Sequence, residues 1–353
     1  MRDGRQGVSE ARQHPQGRAT AALVAERAKV SRVAVSRAFN PHTSLKPEKR
    51  ERILAIAREL NYTPDRAARA LVSGRTHLVG MIVPDVCSNW ESQEIDALTS
   101  ALQAEGFATL LFKTRTDYSM DEQLLAYMRG FNPDSVIAFV ENVRPKTLAR
   151  VLDRAVPIYI DYPLPGEAGA AHGDPLHDRL NVLQYTGIDQ AVALLAGYGV
   201  TRIAYLSGSP KSRANTSRER TLRQVLAARG LPDPLIAPGD FSYDTAYQAT
   251  IDLFRVGQGV EAIFAANDFG AFGAIDALRH ELGLRVPEDV RVVGFDDITQ
   301  SHWKSYNLTT VKFDLDERVR AIVRLILRRL AAPDAPGLEE TLDTRLVVRG
   351  TVG

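Results

Sequence analysis

From His77 onward, short apolar runs recur along the chain: "LVGMIVP", "ATLLFK", "SVIAFV", "PIYID", "RIAYLSG", "AIFAAN" and "RVVGF". Continuous apolar runs of this kind are the pattern of strands buried on both faces of a parallel sheet. Helix-period segments lie between them. In "ESQEIDALTSALQAEG", for example, Ile95, Leu98 and Leu102 fall inward and Gly106 stands at the end. Parallel strands need crossovers, so the alternation predicts a doubly wound α/β body. Ligands of such sheets bind outside the carboxyl ends of the strands. The residues there are Asp85, Asp161, Ser207 to Ser209, Asn267 with Asp268, and Asp296 with Asp297. Acidic and polar groups in these places suit a crevice for a hydroxyl-rich small molecule. Capping of the following helix is the competing role for each carboxylate.

Charge divides the chain in two. The 353 residues carry a net +1. Residues 1–76 hold 16 Lys/Arg against 7 Asp/Glu, whereas the remainder holds 28 against 36. A basic head on an acidic body is the footprint of nucleic-acid binding confined to one end. Residues 1–18 are predicted to be a disordered extension, and residues 19–76 still carry +7 without them. No apolar run reaches the ~20 residues of a bilayer span, and "MRDGRQGVSEARQHPQG" has no apolar core for a secretory signal. With Cys87 as the sole cysteine, the reading is a cytoplasmic protein without membrane contact. Neither G-x-G-x-x-G nor G-x-x-x-x-G-K-[ST] occurs, which argues against an enzyme on a nucleotide-binding fold. The cluster "HGDPLHD" at 172–178 has no further ligands nearby, so neither a metal nor a cofactor is expected.

Within the head, "RATAALVAERA" reads as a short helix capped by Thr20, with Leu23, Val24 and Ala28 as its apolar stripe. "KVSRVAVSRAFN" reads as a second, capped by Ser31. Val35, Ala38 and Phe39 fall on one side of it, and Arg32, Val33, Ser36, Arg37 and Asn40 on the other. Helices joined by so few residues must cross steeply, as in a helix-turn-helix. A third helix starts at Pro47 and Glu48, carries Ile53, Leu54, Ala57 and Leu60, and ends near Asn61. The next segment, "PDRAARALVSGR", is too short to be stable alone and is expected to fold when something orders it.

The runs "VAERAKVSRVAVSRAFN", "KRERILAIARELNYTPDRAARAL" and "SGRTHLVGMIVPD" resemble the DNA-binding region of the lactose-repressor/galactose-repressor (LacI/GalR) family of bacterial transcription regulators. The resemblance implies a recognition helix over 31–39 in the major groove. It also implies a hinge helix over 64–72 whose Leu71 wedges into the minor groove of an operator. Thr20, Ser31, Arg32, Val33, Ser36, Arg37, Asn40, Tyr62, Arg66, Ala68 and Leu71 are the DNA-contact candidates. Arg32 suits a guanine and Val33 a thymine methyl. The resemblance continues into the body and implies a two-lobed, periplasmic-binding-protein-like effector domain closing on a ligand. Asp85, Trp90, Phe139, Asp161, Arg218, Phe241, Asn267 and Asp296 are its effector-contact candidates, with Trp90 and Phe241 able to stack on a sugar face or to serve as core.

Several positions depart from the family pattern. Lys29 replaces a turn glycine, Gln184 and Tyr185 replace Asp-Asn, Thr221 replaces the glycine of "RxxG", and "SNWES" stands for "NPFF". The pocket is thereby reshaped. The C-terminal "LDTRLVVRGTVG" has no leucine heptads, which favours a homodimer over a coiled-coil tetramer. The expected architecture is an all-α helix-turn-helix head (19–63), a hinge (64–76) and an α/β effector domain of parallel sheets (77–353). One lobe is expected over about 77–182 and 311–340, the other over about 183–310 and 341–353. The expected function is an operator-binding regulator, a repressor controlled by a sugar or related ligand. A solute-binding protein without regulatory DNA binding is the alternative.

Overall fold

The computed structural model describes residues 19–39, 43–64, 70, 74–83, 89–114, 122–139, 148, 152, 157–167 and 177–353. Asn40, Arg66, Ala68, Leu71 and Asp85 lie outside these, as do the N-terminal extension and most of the hinge. The chain divides into Met1–Thr76 and His77–Gly353.

In the first unit, helices α1 (Ala21–Arg27), α2 (Arg32–Ala38) and α3 (Pro47–Glu59) enclose a small core. Thr20 Oγ1 accepts the Leu23 N–H at 3.3 Å and Ser31 Oγ accepts the Ala34 N–H at 3.2 Å, so both hydroxyls cap their helices. Val24, Ala25, Ala28, Ala34, Val35, Ala38, Ile53 and Ala57 are buried together. Leu23, placed in the stripe by periodicity, is 38% exposed, because α1 turns Ala25 inward instead. Helix α1 closes with the Lys29 N–H on Glu26 O and the Val30 N–H on Ala25 O. This bonding is a Schellman turn with Lys29 at φ 50°, the left-handed position that usually takes glycine.

The second unit is one sheet in the order β2-β1-β3-β4-β5-β11-β10-β9-β8-β6-β7. One lobe contributes β1 (Leu78–Val83), β2 (Ala108–Lys113), β3 (Ser135–Ala138), β4 (Pro157–Asp161) and β5 (Asp178–Leu183). The other contributes β6 (Ile203–Ser207), β7 (Leu235–Pro238), β8 (Ala262–Ala265), β9 (Arg291–Phe295) and β10 (Thr309–Phe313). Both sets are parallel and share the 2-1-3-4-5 order of a doubly wound sheet. Strand β11 (Glu339–Val347) joins them: residues 339–343 run parallel to β5 and residues 344–347 antiparallel to β10.

Helices α4 (Asn89–Ala104), α5 (Glu122–Phe131), α6 (Tyr185–Gly197), α7 (Arg213–Ala228), α8 (Tyr243–Arg255), α9 (Asp268–Asp276) and α10 (Leu315–Ala331) cover the sheet. Leu98 and Leu102 of α4 are fully buried. Strands β5, β7, β10 and β11 were not among the apolar runs. Polar residues interrupt β5, β10 and β11, and β7 is only 4 residues long; in β5, Asp178 accepts from Arg329 Nη2 at 2.6 Å, Arg328 Nη1 at 3.2 Å and the Leu338 N–H at 2.8 Å. Among the described residues, no helix is long and apolar enough to cross a membrane.

Candidate functional site

In the head, α2 turns Ala34, Val35 and Ala38 into the core and leaves Arg32, Val33, Ser36 and Arg37 exposed. Val33 is 59% exposed, an apolar side chain left in water between two cations. Arg50 of α3 fixes the far end of this helix. Its Nη1 donates to Arg37 O at 3.2 Å and Ala38 O at 2.8 Å, and its Nη2 to Thr43 O at 2.8 Å. A cation on the last carbonyls of a helix is also favoured by the helix dipole. Tyr62 packs edge-on against Phe39 at 5.8 Å and is half-buried. Thr20 and Ser31 are exposed caps at the starts of α1 and α2. The result is a rigid helix that presents two guanidinium groups, a hydroxyl and a small apolar group on one face.

In the body, the expected residues gather at the carboxyl ends of the strands. Asp161 ends β4, and its Oδ1 accepts from Arg213 Nε at 2.8 Å and from the Tyr162 N–H at 2.8 Å. Arg179 Nη1 lies 3.6 Å from its other oxygen. Arg213 opens α7 in the opposite lobe and also donates to Glu167 Oε2 at 2.5 Å, while Ser217 Oγ donates to Pro163 O at 2.8 Å. The two lobes are therefore tied together beside Asp161. Nothing in the strand pattern marks Arg213. Its signal is a basic residue in the first turn of a helix capped by Ser212, against the dipole unless an acid meets it.

Arg218, further along α7, is buried and immobilised. Its Nε donates to Gln184 Oε1 at 2.7 Å, its Nη1 donates to Ala266 O, and its guanidinium carbon lies 3.4 Å from the Phe295 ring centroid. Gln184, one of the departures from the family pattern, is thus what orients the arginine. Asp296 follows β9 at φ 113° with its N–H on Val311 O. Its carboxylate accepts no hydrogen bond among the described residues. Burial pushes its pKa well above the ordinary range, against the pull of Arg218. Asn267 caps α9 through the Gly270 N–H at 2.9 Å and donates its amide to Phe241 O at 3.0 Å. The Phe241 ring covers Gly208, where a Cβ would stand 2.1 Å from Cζ, so the glycine is what admits the ring. Trp90 meets Phe313 edge-on at 4.4 Å, and Phe139, half-buried, follows β3.

Two of the strand-end acids serve the fold instead of the crevice. Asp268 is fully buried and accepts from Ser301 Oγ and Thr310 Oγ1 at 2.6 Å and from the Ile298 N–H at 2.9 Å. Those three donors staple the segment after β9 and the strand β10 to the start of α9. Asp297 is held by Arg349 at 2.5 Å and Lys312 at 3.2 Å. Asp296 and Arg218 remain as an acceptor lacking donors and a guanidinium with Nη2 uncommitted. This pairing suits a ligand that both donates and accepts, as a hydroxyl does.

Residues 23–65 match the family described as "Bacterial regulatory proteins, lacI family", and residues 192–352 match "Periplasmic binding protein-like domain". The transcriptional regulator CelR of Thermobifida fusca is 31% identical over 345 residues, which are 94% of this chain and 98% of that protein. The chain belongs to the lacI family. It is accordingly a DNA-binding transcription regulator, with the two-lobed domain of that family behind its helix-turn-helix. Among solved lacI-family structures, the lac repressor dimer bound to operator and an anti-inducer has a TM-score of 0.80 at 24% identity, covering 95% of this chain and 99% of that one. The CelR–cellobiose complex has a TM-score of 0.66 at 28% identity, covering 95% and 100%.

Proposed function

We propose that the protein is a cytoplasmic repressor, without catalytic activity, that binds a pseudopalindromic operator as a homodimer and responds to a sugar or sugar derivative held between its effector lobes. The observation that carries the reading is the exposed face of α2, where Arg32, Val33, Ser36 and Arg37 stand clear of a core that buries the helix's other side. Arginine reads guanine with two hydrogen bonds, and an exposed valine gains by covering a thymine methyl. Residues 19–63 serve as the DNA-binding domain, 64–76 as the hinge that folds on the operator with Leu71 as its wedge, and 77–353 as the effector domain.

In the cleft, Arg218, Asn267 and Asp296 serve as polar contacts, with Trp90, Phe139 and Phe241 as apolar walls. CelR binds cellobiose in its solved complex, which makes cellobiose the first probe. Mobility shift against fragments of the source genome, with and without cellobiose, tests the reading. A pseudopalindromic fragment is retained over unrelated DNA, and effector changes that retention. Equal affinity for every fragment would overturn sequence-specific recognition and leave the solute-binding alternative.

A further inference from the structure

Arg318 lies in the first turns of α10, just past the carboxyl end of β10, and is 1% exposed. Glu94 of α4, also buried, accepts from its Nε and, at 3.1 Å, from its Nη2. This two-pronged pair consumes one edge of the guanidinium. The third nitrogen, Nη1, is fully buried and has no hydrogen-bond partner among the described residues. A charged donor left unmet in the interior is costly, so such a group is retained where something else meets it.

The surroundings say where that something binds. The guanidinium carbon lies 4.8 Å from the Phe313 ring centroid and 6.0 Å from that of Trp90. Tyr162, next to Asp161, bears on the guanidinium through its charge and a side-chain hydrogen bond that favour the charged form, while Nη1 itself has no partner among the described residues. Two aromatic faces and a donor without a partner among the described residues therefore lie together just past the carboxyl end of β10.

We propose that Arg318 Nη1 is an effector contact that donates to an uncharged oxygen of the ligand, a hydroxyl or ether, and that the Glu94–Arg318 pair selects neutral sugars over sugar acids. The proposal rests on the reading of the cleft as the effector site. Glu94 cancels the charge of Arg318 through its Nε and Nη2 without taking Nη1. With that charge cancelled, a ligand carboxylate gains no net positive partner there, whereas a neutral hydroxyl or ether oxygen can accept from Nη1.

The test is calorimetric titration of the full-length protein with cellobiose, lactose, glucose and ribose, and with cellobionate as the acid counterpart of cellobiose. Wild type is compared with Arg218→Ala, with Arg318→Lys, and with the double variant Glu94→Gln, Arg318→Met, which removes the pair without stranding a charge. The double variant is expected to lose about tenfold to a hundredfold in affinity for the sugar that wild type binds, as loss of a hydrogen bond to a charged donor gives. It should also narrow the preference for cellobiose over cellobionate, a readout that a purely structural pair would not move. Undiminished affinity in a cooperatively melting double variant overturns the proposal. Should that variant not fold, undiminished affinity in Arg318→Lys overturns it. Loss of binding in Arg218→Ala alone leaves the cleft reading intact while the Arg318 contact fails. A wild-type chain that binds none of the sugars overturns the cleft reading itself.

Discussion

At the scale of the residue, Asp268 shows how a buried acid becomes a structural part. Burial pushes its carboxyl up to about 7 from an ordinary 3.8, even though Ser301, Thr310 and the Ile298 N–H all donate to it. An acid with a raised folded pKa binds its proton more tightly when folded, so its contribution is complete below the unfolded value and is lost as pH rises through the folded one. Stability of the effector domain should therefore fall between about pH 4 and about pH 7 by an amount absent from Asp268→Asn. Paired urea melts across that range measure it, and parallel pH profiles for the two proteins would count against the assignment. The neighbouring Asp296 shares the sequence context of a strand-end acid but has no donors among the described residues. Sequence position does not distinguish the two acids, because what separates them is whether Ser301 and Thr310, far along the chain, fold back onto one of them.

At the scale of the element, the head was nearly complete in the sequence. Thr20 and Ser31 were legible as caps because a hydroxyl before an apolar-periodic segment has a local partner, the N–H three residues on. Thr20→Ala and Ser31→Ala should each lower head stability by about 1 kcal/mol in thermal melts. The exposed face of α2 was equally legible, since helical periodicity alone places Arg32, Val33, Ser36 and Arg37 together. Arg32→Ala or Val33→Ala should cost about 1–3 kcal/mol at the operator and relax base preference at one position, with nonspecific affinity changed far less by Val33→Ala. Competition mobility shifts across single-base operator variants check this. The roles of Arg50 on the α2 carbonyls and of Asp178 among two arginines were not legible, because their partners are set by how elements cross and not by spacing within one.

At the scale of the whole molecule, the effector domain is two copies of one strand order that share β11 and are tied across the cleft by Arg213 on Asp161 and Glu167. Arg213 is about one-third exposed, so the pair contributes little to folding, about 0–1 kcal/mol. Its consequence is in lobe position. Arg213→Ala should leave the melting temperature nearly unchanged, enlarge the radius of gyration of the unliganded protein in small-angle scattering, and weaken cellobiose binding by up to about fivefold. A scattering curve identical to wild type would remove Arg213 from control of closure. By contrast the buried Glu94–Arg318 pair, both members excluded from water, is worth about 3–5 kcal/mol if only one partner is removed.

The amino-acid sequence by itself determined the basic helix-turn-helix head, the alternating α/β body and the polar strand ends, because each of these follows from periodicity, capping and local charge. It also led to the family, through dense local motifs in the head. Only the tertiary structure decided that β11 joins two sheets, that Asp268 and Asp297 support the fold while Asp296 meets no donor among the described residues, that Gln184 orients Arg218, that Arg213 ties the lobes beside Asp161, and that Glu94 pairs with Arg318. Those roles rest on contacts between residues far apart in the chain, such as the 224 positions between Glu94 and Arg318. In a doubly wound sheet the chain order of the strands is not their spatial order, so no local pattern can encode which side chains meet at the strand ends.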